Sequence, residues 1–272
     1  MEHSRERTGR LVLVAMFLTA IPGPGGAADH DSSDEAVESF LLNAEVIGIR
    51  KMLPGSTYPM ALDLRLGGSV RQAAFKYRPA DLEDSSPTDR FQHEVAAYRL
   101  DRLLGLDMVP VAVIRNVHAE GAVIEWISEA FTEQKLRERG EYPRDPQLLI
   151  EQQAVMILFD ALILNEDRKE SDQLITTGDW KLHLVDHSRA FQTSTEMPPS
   201  FLSQPASLSR SLLRRLVLLN TESLGDALEG LLSDAQIEAM LERRTKILEK
   251  VAADREKYGD ARVFQKQAGL TP

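Results

Sequence analysis

The stretch ILNEDRKESDQL, residues 163–174, marks the point where a long apolar segment gives way to a highly charged loop. This loop carries Asp167 and Asp172, and the following stretch WKLHLVDHSRAF, residues 180–191, alternates like a strand up to Asp186. A solvated polar loop is the simplest interpretation of these carboxylates. The alternative is a site for phosphate and a divalent cation, because carboxylate oxygens are the ligands that Mg²⁺ and Mn²⁺ prefer.

The composition of the 272-residue chain excludes several classes of function. The net charge is −10, so we expect no broad nucleic-acid binding, which requires a basic surface. The sequence contains no cysteine, which excludes thiolate metal sites and cysteine nucleophiles. An exported form of the chain would also fold without disulfides.

The N-terminus predicts a signal peptide over residues 1–28. Three arginines precede an unbroken apolar run at residues 11–21, and the small residues Gly26, Ala27 and Ala28 follow. This pattern predicts export to a periplasm or secretion, with no stable membrane span after cleavage. A wrongly assigned start codon in front of an apolar leader is the alternative. Residues 29–40 are polar at first and are predicted to be a disordered leader.

Periodicity divides the remaining chain into a strand-rich part, residues 41–128, and a mostly helical part, residues 129–262. The first part is predicted to hold strands at 59–66 and 70–77, a helix, and two further strands. Thr88 or Asp89 is expected to cap that helix, and Gly105 to end it. In the second part, a long apolar helix begins with Asp145 as N-cap, a short hairpin follows, and helices continue to about residue 258.

Five residues in this order fit the requirements of phosphoryl transfer: a lysine to orient phosphates, a carboxylate to pair with it, two metal ligands, and an Asp near the accepting hydroxyl. Lys76 lies on an apolar strand and Glu94 on the next helix. Asp167 follows the long apolar helix, and Asp172 and Asp186 flank the predicted hairpin.

Four segments carry a resemblance to a known group of proteins: FKYRP, FQHEVAAYRLDRLLGLDMVPVAVI, FDALILNEDRKESDQLI and LVDHSRAF. Over about residues 45–250, their order resembles the atypical kinase-like superfamily, which includes the secretory-pathway Fam20 kinases, the HipA toxin kinases and the phosphoinositide 3/4-kinase-like bacterial proteins. The resemblance implies an α+β, two-lobed, protein-kinase-like fold. A strand-rich N-lobe with one helix and a mostly helical C-lobe are expected.

The resemblance also implies roles for the charged residues. Lys76 is expected to bind ATP phosphates and Glu94 to pair with Lys76. Asp167 is expected to be the catalytic-loop Asp, while Asp172 and Asp186 ligate Mg²⁺ or Mn²⁺. Arg168, next to Asp167, is predicted to belong to the catalytic loop, with a structural ion pair as the alternative. Asp160 is predicted to be structural and bonded to this loop.

The same resemblance places a phosphate-covering turn at Gly55, Ser56 and Thr57, whose backbone N–H groups face the phosphates. Glu125 and Ile127 belong to the segment expected to face adenine.

Two departures from the resembled families keep the function open. Lys169 stands where these families have His, and Asp172 stands where they have Asn. One hypothesis is an exported kinase-like enzyme that transfers the ATP γ-phosphate to a hydroxyl of a protein, glycan or small molecule. A kinase-fold pseudoenzyme acting as a nucleotide- or partner-binding module is the second. A metal-dependent hydrolase is the third, but it leaves Lys76 and Glu94 unexplained.

Overall fold

The computed structural model describes residues 33–52, 59–77 and 89–265. The predicted signal peptide lies outside the described residues, and so does the predicted phosphate-covering turn at Gly55, Ser56 and Thr57.

The first half of the described chain, here the N-lobe, is a five-stranded antiparallel sheet with two helices. The strand order is β1-β2-β3-β5-β4, with every neighbouring pair antiparallel. The elements in chain order are α1 (Asp34–Asn43), β1 (Glu45–Lys51), β2 (Met60–Leu66), β3 (Ser69–Tyr77), α2 (Gln92–Leu104), β4 (Ala112–Asn116) and β5 (Glu120–Glu125).

Alternating side chains explain how the sheet forms its core. Leu62 and Leu64 on β2 and Phe75 on β3 are fully buried, as expected for strands that cover a core on one face. Helices α1 and α2 pack against strands β4 and β5. Gly105 ends α2 at a φ of 62°, a left-handed conformation that suits glycine, so the predicted stop is confirmed.

Two local predictions for the N-lobe are wrong. The predicted disordered leader contains the helix α1 from residue 34 onward, because Ser33 caps it and Phe40 and Leu41 are buried against the sheet. Helix α1 thus adds a second helix, from the predicted leader, to the predicted helix α2. Asp89 does not cap α2, since Phe91 occupies the N-cap and makes no side-chain cap bond, while Thr88 lies outside the described residues.

The second half, here the C-lobe, is mostly helical. A three-stranded sheet of order β6-β7-β8 accompanies the helices. Its elements in chain order are β6 (Ala130–Phe131), α3 (Glu133–Glu138), α4 (Pro146–Ile163), β7 (Gln173–Thr176), β8 (Leu182–Leu184), α5 (Pro199–Leu202), α6 (Arg210–Leu218), α7 (Thr221–Leu228), α8 (Asp234–Tyr258) and α9 (Asp260–Val263).

Helix α4 forms the centre of the C-lobe and leads into the charged loop. The Asp145 side chain accepts a hydrogen bond from the Gln147 amide at 2.9 Å, and Pro146 is the first helical residue, as predicted. By length and composition α4 is the one helix among the described residues that could cross a membrane. Its second half is buried and the helix packs against α8, which is the arrangement of a core helix.

The α+β class, the strand-rich N-lobe and the mostly helical C-lobe are thus confirmed. Strand β3, helix α2, the loop after α4 and the end of β8 carry the predicted site residues, and their meeting point is the candidate site.

Candidate functional site

Lys76 is the centre of an ion-pair cluster in which Lys76 and Glu94 are buried and Asp186 is partly exposed. Its Nζ donates to Glu94 Oε1 at 2.6 Å and to Asp186 Oδ1 at 2.7 Å. The Lys76 side chain is 11% exposed and that of Glu94 is 3% exposed. The predicted pair of Lys76 and Glu94 is therefore present, and Asp186 joins it from the C-lobe.

Three different elements bring these groups together. Lys76 lies on β3 opposite Ala122 of β5, while Glu94 lies in the first turn of α2. Asp186 follows β8 and has a φ of 65°. A non-glycine residue in this left-handed region is uncommon, and such strain tends to persist at functional positions.

Glu94 also holds the backbone beyond Asp186. Both of its carboxylate oxygens accept hydrogen bonds from the His187 amide at 3.1 Å, and His187 Nδ1 lies 3.4 Å from Oε2. The carboxylate therefore joins α2 to the loop that carries Asp186, in addition to orienting Lys76.

The Lys76 ammonium and the two carboxylates of this cluster keep each other in their charged forms. Burial by itself lowers the pKa of Lys76, but the Glu94 and Asp186 carboxylates outweigh it and raise this pKa above the ordinary value. Burial works to raise the pKa of Glu94, and the Lys76 ammonium with His187 reverses this to a net lowering. Lys76 lowers the pKa of Asp186. All three groups are charged at neutral pH, so one ammonium faces two carboxylates.

Asp172 is near enough to Asp186 for their charges to interact, but it has no ion pair of its own among the described residues. Its Oδ2 accepts a hydrogen bond from the Lys169 amide at 3.0 Å and its Oδ1 accepts one from Ser171 Oγ at 2.9 Å. Burial raises the pKa of Asp172, and the negative charge of Asp186 raises it further. A divalent cation would relieve this repulsion, so the two carboxylates suit a shared metal. No group of three or more potential His, Cys, Asp or Glu ligands occurs in the described part of the chain, so further ligands would come from phosphate or water.

Asp167 is a partly exposed carboxylate of the charged loop. Its side chain is 40% exposed, and Oδ2 lies 3.1 Å from Arg189 Nη1 and 3.5 Å from Lys169 Nζ. This position leaves the carboxylate accessible to a substrate.

Arg168 points the other way, into the protein. Its guanidinium bonds both carboxylate oxygens of Asp160, at 2.8 and 3.0 Å, and donates to the Val185 carbonyl at 2.5 Å. Asn165 donates to Asp160 as well, at 3.2 Å. The prediction that Asp160 bonds the loop is confirmed, and the contacts of Arg168 are those of its structural alternative. Through these contacts Arg168 stabilises the loop from the interior of the protein.

Glu125 belongs to the segment that was expected to face adenine, but its side chain points away from Lys76. Because Ala122 pairs with Lys76 and Glu125 pairs with Ala73, the side chains of Glu125 and Lys76 lie on opposite faces of the sheet. The Glu125 carboxylate is within 3.4 Å of the Val111 amide instead. The Glu125 carboxylate is therefore not placed to contact adenine beside Lys76. The backbone groups of Glu125 are not tied to one face of the sheet in this way.

A cavity of about 810 Å³ adjoins the segment after β5. Its lining includes Ile127, Trp126, Arg71 and Phe40, together with the tip of the β7–β8 hairpin. Neither Lys76 nor Asp186 lines it. Despite its volume, this cavity is separate from the charged cluster, and the chemistry of the site lies with the cluster.

A buried histidine ties the loop after Asp186 to both lobes. His93 Nδ1 lies 3.0 Å from the Ser188 carbonyl, so it is a donor, and His93 Nε2 lies 3.2 Å from Gln236 Nε2. Gln236 Nε2 also donates to the Phe191 carbonyl at 2.7 Å, and its Oε1 accepts from the Ser233 amide, which fixes the orientation of the amide. His93 Nε2 must then be an acceptor, so the ring is neutral, and burial lowers the pKa of His93 to about 4.

Sequence reasoning missed the residues that follow Asp186. His187, Ser188 and Arg189 contact Glu94, His93 and Asp167 respectively. The available signal was their position in DHSRAF, directly after a predicted metal ligand. Their partners are far away in sequence, and spacing alone does not identify them.

Several solved kinase structures have a similar fold. A hydra Fam20 structure with sugar matches with a TM-score of 0.67 at 18% identity, over 89% of this chain and 95% of that chain. The Golgi casein kinase with Mn/ADP bound matches with a TM-score of 0.61 at 17% identity, over 86% of this chain and 79% of that chain. The Helicobacter pylori proinflammatory kinase CtkA matches with a TM-score of 0.53 at 11% identity, over 83% of this chain and 99% of that chain.

Comparisons with models of protein families and with curated proteins find no match. At 11–18% identity the structural neighbours establish the fold. The chain therefore has the two-lobed kinase-like fold that the resemblance implied, with the atypical Fam20-type kinases among its structural neighbours.

Proposed function

We propose that the chain is an exported kinase-like phosphotransferase that binds ATP with Mg²⁺ or Mn²⁺ and transfers the γ-phosphate to a hydroxyl. The observation that carries this proposal is the Lys76 ammonium, held at 2.6 Å from Glu94 and 2.7 Å from Asp186 in a kinase-like fold. A buried ion pair of this kind is costly to form and is not expected for stability alone.

Each charged group has a task in this reaction. The Lys76 ammonium donates hydrogen bonds to phosphate oxygens, and Glu94 fixes its direction. Asp172 and Asp186 would hold the metal, and their mutual repulsion fits them for a cation. A metal held by these two carboxylates would neutralise charge on the phosphate oxygens. Asp167, on the exposed side, accepts the proton of the attacking hydroxyl.

The neighbouring structures are consistent with this proposal. The Golgi casein kinase was solved with Mn/ADP, the cofactor and product class proposed here. The hydra Fam20 structure contains sugar, and a glycan hydroxyl is one acceptor class to be tested, beside protein and small-molecule hydroxyls.

A pseudoenzyme that binds nucleotide without turnover is the second candidate. It is favoured by Asp172 and Lys169, which replace the Asn and His of the resembled families. The added charge at Asp172 strengthens cation binding but also repels the triphosphate.

Calorimetric titration of ATP with and without Mg²⁺ tests nucleotide binding, using the wild type, Asp186→Asn and Asp172→Asn. The proposal predicts Mg²⁺-dependent binding by the wild type and its loss in Asp186→Asn, because this change also removes a carboxylate partner of Lys76. It predicts retention in Asp172→Asn, because this change restores the Asn of the resembled families. Equal affinities in all six titrations would contradict the metal site. ADP formation by the wild type then separates the enzyme from the pseudoenzyme.

Export rests on the N-terminal sequence pattern and is tested separately. A reporter enzyme that is active only outside the cytoplasm, fused after residue 35, should be active. It should lose activity when residues 2–28 are deleted. Activity that is unaffected by this deletion would contradict export.

A further inference from the structure

Arg189 lies three residues after Asp186 and contacts the exposed side of the site. Its Nη1 donates to Asp167 Oδ2 at 3.1 Å, and its Nε lies 3.7 Å from Asp89 Oδ2. The arginine therefore stands between the carboxylate assigned to accept the proton and a carboxylate that precedes α2.

Asp89 has an unusual environment for a residue outside a helix or strand. It is 6% exposed and does not cap α2. Its Oδ1 is buried and has no hydrogen-bond partner among the described residues. A buried carboxylate in this state is costly unless a nearby positive charge compensates it, and Arg189 is a cation at ion-pair distance from its other oxygen.

The backbone beside Arg189 is fixed to the same part of the N-lobe. The Ser188 carbonyl accepts hydrogen bonds from the Arg90 amide at 2.8 Å and from His93 Nδ1 at 3.0 Å. These bonds lock the peptide that precedes Arg189 to the start of α2. The Arg189 side chain therefore extends from a fixed base toward Asp167.

We propose that Arg189 is a positioning residue that connects the start of α2, through Asp89, to the proton-accepting carboxylate Asp167. The proposal rests on the proposed phosphotransfer. In that step the acceptor oxygen forms a bond to the γ-phosphorus and the bond from this phosphorus to the bridging β,γ oxygen breaks. ADP leaves with that electron pair, and the hydroxyl proton moves to Asp167. In this assignment Arg189 acts by holding Asp167.

Steady-state ADP formation from Mg²⁺·ATP by the full chain provides the test, because total ADP counts transfer to any acceptor, water included. Arg189→Gln should lower kcat by about 10–100-fold while KM for ATP changes by less than about 3-fold, because a misplaced proton acceptor affects the chemical step and not nucleotide binding. Arg189→Lys should restore part of the loss, and Asp89→Asn should lower kcat by a smaller factor. The Asp89→Asn, Arg189→Gln double variant should lose no more than Arg189→Gln alone, because both act through one connection.

Arg210→Gln is a matched control, since it removes an exposed arginine that pairs with Asp260 at 2.6 Å on the far C-terminal helices. It should leave kcat unchanged. An Arg189→Gln variant with the kcat of the wild type would overturn the proposal, because the residue would then be dispensable. A fall in kcat accompanied by an equal change in KM for ATP and by a lower unfolding midpoint would also overturn it, because the role of the residue would then be merely structural. A wild type that binds Mg²⁺·ATP and forms no ADP would overturn it together with the proposed enzyme, whereas an active wild type with an active Arg189→Gln would overturn this inference alone.

Discussion

The two sides of the site differ in how firmly their charges are held. On the phosphate side, Lys76 and Glu94 are 11% and 3% exposed and their ion pair measures 2.6 Å. On the acceptor side, Asp167 and Lys169 are 40% and 54% exposed and lie 3.5 Å apart. Buried charges without partners are costly, so the first side is fixed before any ligand arrives, whereas solvent screens the second. We infer that nucleotide geometry is built into the fold, whereas acceptor geometry depends on the exposed contacts of Asp167 with Arg189 and Lys169 and on the substrate.

Removal of Asp186 should produce the largest effect, because it takes a metal ligand and a partner of Lys76 from the phosphate side. Asp186→Asn should weaken Mg²⁺-dependent ATP affinity by about 1,000-fold or more, since a neutral amide binds the cation less strongly and leaves Lys76 with one carboxylate. Calorimetry measures this directly. Retention of full Mg²⁺-dependent affinity would place the metal elsewhere.

Breaking the buried pair should affect folding as well. Lys76→Ala leaves Glu94 buried without its cation, and is expected to lower the free energy of unfolding by about 3–5 kcal/mol. The double variant Lys76→Ala, Glu94→Gln should recover much of this loss, because position 94 then carries no buried charge. Urea denaturation gives both values.

Arg50→Ala is the control for that pair. It removes an ion pair with Asp63 of similar length, 2.7 Å, whose arginine side chain is 56% exposed, and is expected to cost less than about 1 kcal/mol. Equal losses for Lys76→Ala and Arg50→Ala would remove the contrast between buried and exposed pairs.

His93 makes the folded protein sensitive to acid. Its pKa is about 4 in the folded protein and 6.5 ordinarily, so the unfolded chain binds more protons between these values and stability falls as pH drops from 6.5 to 4. The wild type should lose an advantage on the order of 3 kcal/mol over His93→Asn across that window. Subtraction of the variant removes the contribution of His183, whose pKa burial also lowers to about 4. A constant difference between the two proteins from pH 7 to 4 would contradict a neutral, buried His93.

A substitution on the acceptor side should change the stability of the protein very little. Lys169→Ala removes an exposed cation 3.5 Å from Asp167 and should change the free energy of unfolding by less than about 0.5 kcal/mol. Chemical denaturation checks this value. A loss comparable with that of Lys76→Ala would show that the two sides are equally rigid.

Sequence patterns were sufficient to predict local elements and the order of the charged residues. The strands around Gly67, the stop at Gly105 and the cap at Asp145 follow from side-chain periodicity and backbone preference, and the structure contains all three. The helix α1 was missed because its N-terminal turn is acidic and polar, and its stability comes from Phe40 and Leu41 packing on a sheet formed later in the chain.

Contacts between segments that are distant in the sequence could not be predicted from sequence patterns. Arg168 and Arg189 are both arginines beside predicted site aspartates, yet one turns inward to Asp160 and the other outward to Asp167. Only the path of the backbone decides between these orientations. The same applies to Glu125, whose face of the sheet depends on strand register.

The central claim is that Lys76 lies beside the phosphates of bound ATP. An ATP analogue with an acyl phosphate at its γ end transfers the acyl group to a lysine amine at that position, and mass spectrometry of the digested full chain identifies the modified residue. We predict Mg²⁺-dependent acylation of Lys76, suppressed by excess ATP and weaker in Asp186→Asn. Acylation confined to other lysines, or acylation of Lys76 that excess ATP does not suppress, would contradict the claim.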